Sequence, residues 1–274
     1  PAYASAYILD NWKQGDRVDI SGPLGDFYYQ SLRDAKHVVA LAGGSGITPF
    51  YSMAAAIVSG LEDFDLTILY GSRTADGILL KDEIEALAAQ SGGRVKVVHV
   101  LSDEEREGYE HGFITAELIK KYGGEEYSLF LCGPQGMYNY LDTQIEPLGL
   151  RRKYVRRELF GAIKNPWDQP DYPAGIRGKT FKMKLIQCGK EYEIPVSADE
   201  PVLVAAERAG LCVPERCRSG ECGWCRSRLL SGSVYVPART DGRRRADVAF
   251  GYIHPCASFA MSDLVLDVPN GTLR

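Results

Sequence analysis

Four cysteines in the last quarter of the chain constrain it more than any other feature. Cys217, Cys222 and Cys225 are spaced C-x4-C-x2-C, and Cys256 stands apart from them, directly after Pro255. This is a spacing by which thiolates hold a 2Fe–2S cluster. Three thiolates on one tight loop can wrap two irons only if the backbone approaches closely and donates N–H groups to the sulfurs. Ser219, Gly220 and Gly223 are the small residues that such a loop needs. The fourth ligand then has to arrive from elsewhere in the fold, as Cys256 would. A zinc ribbon would use two C-x2-C knuckles, whereas this chain has one, preceded by a cysteine at a different offset. The four residues could also be a disulfide pair or buried free thiols.

A chain of 274 residues has room for about two domains. Its net charge of −4 gives no general attraction to nucleic acid or to an anionic membrane. No apolar run approaches the ~20 residues that span a bilayer, and no basic-then-apolar segment opens the chain. The start at Pro1-Ala2 fits either a trimmed initiator or a fragment of something longer. Seven cysteines is an odd number, and Cys132, Cys188 and Cys212 are scattered, unlike a secreted disulfide framework. Cys188 and Cys212 are expected to be small buried residues, and a reducing cytoplasm is the expected location.

From His37 to about Phe160, short apolar runs alternate with helical patterns. The runs are 37–42, 66–70, 95–100 and 128–132. This β-α rhythm predicts an α/β domain, a parallel sheet with helices on both faces. A helix is expected near 50–58, with Pro49 in its first turn. Residues 161–179 contain three prolines and no apolar period, which reads as a linker. Beyond it come two hairpin-like runs, 181–187 and 191–196, then a helix near 202–209 and the cysteine loop. That order resembles the α+β β-grasp of small ferredoxins. The opening residues predict a short strand at Arg17–Ile20 and a Gly/Pro turn at 21–27.

Two glycine-bearing turns carry the remaining chemistry. Gly43-Gly44-Ser45-Gly46 sits at a strand end and opens a helix, where the backbone can approach a pyrophosphate whose charge the helix N-terminus favours. Cys132-Gly133-Pro134-Gln135-Gly136-Met137 occupies the equivalent place after the last strong strand. Together, Gly-Gly-Ser-Gly-Ile-Thr-Pro and Cys-Gly-Pro-x-x-Met resemble the pyridine-nucleotide domain of the ferredoxin–NADP reductase superfamily. With the cysteine loop, the likeness extends to the reductase components of multicomponent oxygenases and related iron–sulfur flavoreductases.

The resemblance implies a role for each matching residue. Gly43, Gly44, Gly46, Thr48 and Pro49 would lie against the dinucleotide, with Thr48 near the nicotinamide. Cys132 would face the nicotinamide C4 and shape hydride transfer, Gly133 and Pro134 would hold its turn, and Gln135 and Met137 would flank the dinucleotide. Ser72 and Arg73 would meet the adenosine half. Glu158, as a second catalytic residue, and Phe160 match a Glu-x-Phe element near the flavin. Ser5 matches the Ser of a Gly-x-x-Ser element at the flavin pyrophosphate, with Ala2 replacing the Gly, and residues 16–27 match the end of the family's flavin-binding barrel. The family's Arg-x-Tyr-Ser/Thr motif, which holds the isoalloxazine, has no counterpart here, so the flavin site is incomplete or is completed by another chain.

The implied organisation is the end of a flavin barrel (1–35), an NAD(P)-binding domain (36–160), a linker (161–179) and a 2Fe–2S ferredoxin domain (180–274). The implied activity is electron transfer from NAD(P)H, with NADH favoured over NADPH, through FAD or FMN to a 2Fe–2S cluster. A protein acceptor, an oxygenase or another metalloenzyme, would follow. The rivals are a non-catalytic iron–sulfur carrier subunit reduced by a separate flavoprotein and a zinc-stabilised interaction protein. The arginines at 151–157 and 243–245 read as solvated faces, Arg216 and Arg218 as docking residues beside the cluster, and His254 as a loop histidine.

Overall fold

The computed structural model describes residues 3–20, 25–158, 163 and 165–270, without the side chains of residues 3–5, 135 and 239. Helix α1 (Tyr3–Asn11) leads to a six-stranded domain. Its elements are β1 (His37–Gly43), α2 (Thr48–Val58), β2 (Asp65–Ser72), α3 (Lys81–Gln90), β3 (Val95–Leu101), β4 (Glu110–His111), α4 (Ala116–Gly123), β5 (Ser128–Cys132), α5 (Gln135–Ile145) and β6 (Val155–Glu158). The strands run β4-β3-β2-β1-β5-β6, all parallel. Successive side chains leave opposite faces of a strand, so a sheet covered on both sides reads as a continuous apolar run. On β1, Val38, Ala40 and Ala42 pack with Phe50 and Ile57 of α2 and Ile84 of α3. Val39 and Leu41 face the other way, towards Ile119 of α4 and Leu141 of α5. Full burial of each such Val, Leu, Ile or Phe contributes about 1.5–3 kcal/mol.

The strand expected at Arg17–Ile20 is not formed. Those residues are extended but pair with nothing among the described residues, and Ile20 is 90% exposed. A strand exists only through hydrogen bonds to a neighbour, and no other strand precedes β1 among the described residues. Residues 21–24 of the turn expected at 21–27, and Phe160, lie outside the described residues, as do the side chains of Ser5 and Gln135. Residues 25–35, by contrast, are fastened to the domain. Phe27 packs on Phe50 and Phe130, and Tyr29 stacks on Phe64 at 4.2 Å. Arg156 of β6 is buried against Asp34 at 2.8 Å and also donates to the Tyr28 and Asp26 carbonyls. Arg156 is therefore not part of a solvated face, and Arg157 is tied to Asp142 at 2.7 Å.

The second domain contains β7 (Thr180–Gln187), β8 (Lys190–Ser197), α6 (Val202–Arg208), β9 (Ser227–Ser231), β10 (Val234–Tyr235), α7 (Arg245–Ala249), β11 (Tyr252–Ile253), β12 (Phe259–Ala260) and β13 (Leu264–Val268). Five strands form a mixed sheet, β11-β9-β13-β7-β8, and β10 pairs with β12. α6 packs Val202, Leu203, Ala205 and Ala206 onto Met183, Leu185, Leu264 and Leu266. β7 and β8 are joined by two residues, Cys188 (φ 51°) and Gly189 (φ 74°), the left-handed pair that a tight hairpin requires. That turn points Cys188 outward, and Cys212 is exposed too, so neither is the buried residue expected. The proline-rich segment packs on this domain: Asp171 accepts from the Tyr235 hydroxyl at 2.7 Å and from Ala238 N–H. No described helix is long and apolar enough to cross a membrane.

Candidate functional site

The nucleotide-domain residues of interest meet at the C-terminal edge of the parallel sheet. From β1 the chain steps outward through β2, β3 and β4, then returns to place β5 on the other side of β1. The crevice at such a reversal is where open α/β sheets bind ligands. Here it is a cleft of about 740 Å³, lined by Gly43, Gly44, Ser72, Arg73, Pro134 and Met137 from the expected set. Gly46, Thr48, Pro49 and Gly133 stand beside the cleft rather than in its lining. Gly46 is needed for close approach: a Cβ there would strike the Cys132 carbonyl and come within 2.8 Å of Gly133 N. Thr48 turns its hydroxyl to the Ser45 carbonyl at 3.0 Å, closing the short turn that precedes α2. Ser72 Oγ is buried with no partner among the described residues, a free polar position for a ligand in this cleft.

Strand register brings the two candidate catalytic residues side by side. Cys132 pairs with Ala42 of β1 and with Glu158 of β6. Cys132 is wholly buried, and desolvation, followed by the Glu158 charge, pushes its thiol up to about 12. It is therefore a neutral thiol and not a nucleophile at physiological pH. Burial, and then the charges of Cys217 and Asp26, raise the Glu158 carboxyl. The Tyr138 hydroxyl donates to the carbonyls of Leu131 and Glu158 and fixes this edge from behind.

The cleft also uses residues that the sequence did not disclose. Phe113 and Ile114 reach it from the connection between β4 and α4, and Tyr140 from α5, with the Phe113 and Tyr140 rings 5.4 Å apart. Ser102 and Asp103 arrive from the end of β3. The Asp103 carboxylate takes a bond from Ser102 at 2.6 Å and from Arg73 at 2.8 Å. Those two contacts hold it below the usual carboxylate range. A glycine before an aromatic residue, Gly112-Phe113, was the local signal available, and without the fold it has no address.

In the second domain the four candidate cysteines come from two segments. Cys217, Cys222 and Cys225 lie on the loop between α6 and β9, and Cys256 is on the short helical turn Pro255–Ala257. Cys225 and Cys256 are buried with sulfurs 3.4 Å apart, too far for a disulfide, and all seven cysteines are free. Backbone N–H groups point at the sulfurs: Ser219 and Cys222 at Cys217 (3.4 and 3.5 Å), Trp224 at Cys222 (3.4 Å). The Cys256 thiol, and then the Ser219 and Cys222 donors, lower the Cys217 thiol, whereas burial raises the Cys222 thiol. Gly220 is in the left-handed region (φ 86°), and a Cβ there would strike the Thr240 carbonyl and Ala257. His254 is buried and donates from Nδ1 to the Gly220 carbonyl at 2.5 Å, a brace for the loop. Converging thiols, inward N–H groups and a close-packed backbone fit a 2Fe–2S cluster. Bound there, it would supply a one-electron store.

Comparisons with known proteins agree with this geometry. The oxidoreductase NAD-binding domain family matches residues 40–143, and the 2Fe-2S iron-sulfur cluster binding domain family matches 185–261. The chain is 27% identical over 273 residues to a component of the 1,2-phenylacetyl-CoA epoxidase of Escherichia coli K12, spanning 96% of this chain and 76% of that protein. It is 26% identical over 284 residues to the glycine betaine monooxygenase reductase subunit of Pseudomonas aeruginosa, at 96% and 74% coverage. Phthalate dioxygenase reductase, described as a modular structure for electron transfer from pyridine nucleotides to 2Fe–2S, superposes with a TM-score of 0.61. Its sequence identity is 25%, over 96% of this chain and 74% of that one. Fold and thiol loop thus define an iron–sulfur oxidoreductase that uses a pyridine nucleotide. More narrowly, the chain carries an oxidoreductase NAD-binding domain followed by a 2Fe-2S iron-sulfur cluster binding domain, and over 96% of its length it is similar to phthalate dioxygenase reductase.

Proposed function

We propose that this chain accepts electrons from NADH at the cleft above β1 and β5 and passes them by way of the cysteine loop to a protein acceptor of the oxygenase or metalloenzyme kind. One observation carries the reading: the two sites adjoin. Glu158, at the cleft edge, and Cys217 and Glu221, on the cluster loop, interact electrostatically across the two domains. Gly43, Gly44 and Pro134 would hold the dinucleotide's backbone, and Cys132 and Glu158 would shape and electrically bias the nicotinamide end without forming a bond to it. A bound flavin would supply conversion of a two-electron hydride into single electrons. We assign FAD, in the first instance, as that cofactor.

The preference for NADH rests on the Arg73–Asp103 pair. Arg73 is 86% exposed at its side chain and would suit a 2′-phosphate on its own, but Asp103 neutralises it and adds a carboxylate to the cleft margin. A ribose 2′-hydroxyl can donate to that carboxylate, whereas a phosphate is repelled. Free thiols throughout the chain suit a reducing cytoplasm.

Anaerobic titration of the cluster-loaded, FAD-supplemented chain with NADH and then NADPH tests this reading. NADH should bleach the cluster bands and NADPH should do so far less, with Asp103→Ser narrowing the gap. The carrier-subunit reading wins if neither nucleotide binds and a foreign reductase still reduces the cluster.

A further inference from the structure

The cluster loop has two sides of opposite character. Glu221 turns towards Glu158 and Arg157 of the nucleotide domain, whereas Trp224, between the ligands Cys222 and Cys225, is 59% exposed on the outside. Between residues 216 and 247 the chain carries eight arginines and no lysine, against three acidic residues. Two of those carboxylates are paired internally, Asp241 with Arg243 (2.6 Å) and Asp247 with Arg226 (2.9 Å). Arg218, expected as a docking residue, is instead consumed by Glu207 and Glu215. Arg216, Arg228, Arg244 and Arg245 are exposed and form no ion pair among the described residues.

The positive residues share their end of the domain with exposed apolar groups. Val248 is 52% and Phe250 70% exposed, on and just after α7. α7 is tied to the loop side by the Arg226–Asp247 bridge, and Gly242 packs directly on the backbone of Gly220 and Glu221. Exposed aromatics on segments rich in arginine have the composition of a protein-binding hot spot and not of an ordinary solvated face. The Trp224 N–H donates to Cys222 Sγ, so the thiolates lie one residue beneath this surface.

We propose that the outer face of the cluster loop, centred on Trp224 and rimmed by Arg216, Arg244 and Arg245 with Val248 and Phe250, docks a redox protein whose own centre is edged by carboxylates. This rests on the electron-transfer reading and names the chemistry of the partner. Uncompensated arginines select an acidic partner and speed its approach, while the apolar centre supplies the dry contact.

The test uses the cluster-loaded chain and two haem probes of opposite charge, acidic cytochrome b5 and basic cytochrome c. Binding is measured by calorimetry at rising salt, and transfer from the photoreduced cluster is measured by stopped flow, which bypasses NADH. Cytochrome b5 should bind more tightly than cytochrome c and lose affinity with salt. The combined Arg216→Glu, Arg244→Glu and Arg245→Glu variant should weaken cytochrome b5 by about tenfold and strengthen cytochrome c, with the visible cluster spectrum and NADH affinity unchanged. The proposal is overturned if cytochrome c binds better, if charge reversal moves the cytochrome b5 affinity by less than about twofold, or if a DNA duplex binds as well as cytochrome b5. If the triple variant does not load its cluster, the two salt dependences of the unaltered chain decide. Failure of NADH to reduce a chain that keeps these binding signs would sink the reductase reading and leave the surface standing.

Discussion

The two sites are held by different means. The nucleotide cleft sits on the ends of strands whose interior is buried on both faces, so its glycine turn and its Cys132–Glu158 edge inherit their positions from a large apolar core. The cysteine loop has no such sheet beneath most of its length. It is positioned by its own N–H to sulfur contacts, by His254, and by the close approach of residues 240–242. A site on strand ends is as stable as its domain, and a site on a loop is only as stable as its few local restraints.

The largest test of this contrast is Arg156→Ala. It leaves Asp34 buried without its partner and should cost about 3–5 kcal/mol, read as an earlier urea transition for the nucleotide domain and weaker NADH binding. The cluster bands should persist, and their loss in this variant would show that the domains do not fail separately.

A pair of glycine substitutions probes the same point from both sides. Gly220→Ala combines a left-handed backbone with a clash, at about 1–3 kcal/mol, and should abolish cluster loading while NADH affinity holds. Gly46→Ala drives a methyl into the Cys132–Gly133 peptide and should do the reverse. Equal damage to both readouts from either variant would contradict the contrast.

The smallest effect concerns pH. His99 of β3 is buried beside Glu85 at 3.0 Å, with Lys81, the rings of Tyr70 and Tyr109, and Arg106 over Tyr109 as its other charged or aromatic neighbours. Desolvation lowers its pKa below the ordinary 6.5, outweighing Glu85. The unfolded chain therefore binds the proton more readily, so this group's contribution is complete above that pH and is lost as pH falls through it. The melting temperature of the nucleotide domain should drop on acidification, and His99→Gln should flatten the profile; a drop of the same size in the variant would exonerate His99.

The four-cysteine spacing, the strand rhythm and the two glycine turns were legible in the chain because each is a short-range pattern. Ligand spacing, the alternation of apolar residues and the absence of a Cβ are local properties that the backbone must honour wherever it folds. The strand expected at Arg17–Ile20 failed for the opposite reason, since pairing depends on a distant partner. Only the tertiary structure decided which arginines are spent and which remain: Arg156 is sealed on Asp34, Arg218 is divided between two glutamates, and Arg216, Arg244 and Arg245 are left outward. It alone brought Phe113 and Asp103 to the cleft, and Glu158 to the side of the cluster loop. Charge pairing and burial are long-range outcomes of packing, and identical arginines in a row carry no mark of the carboxylate each will meet.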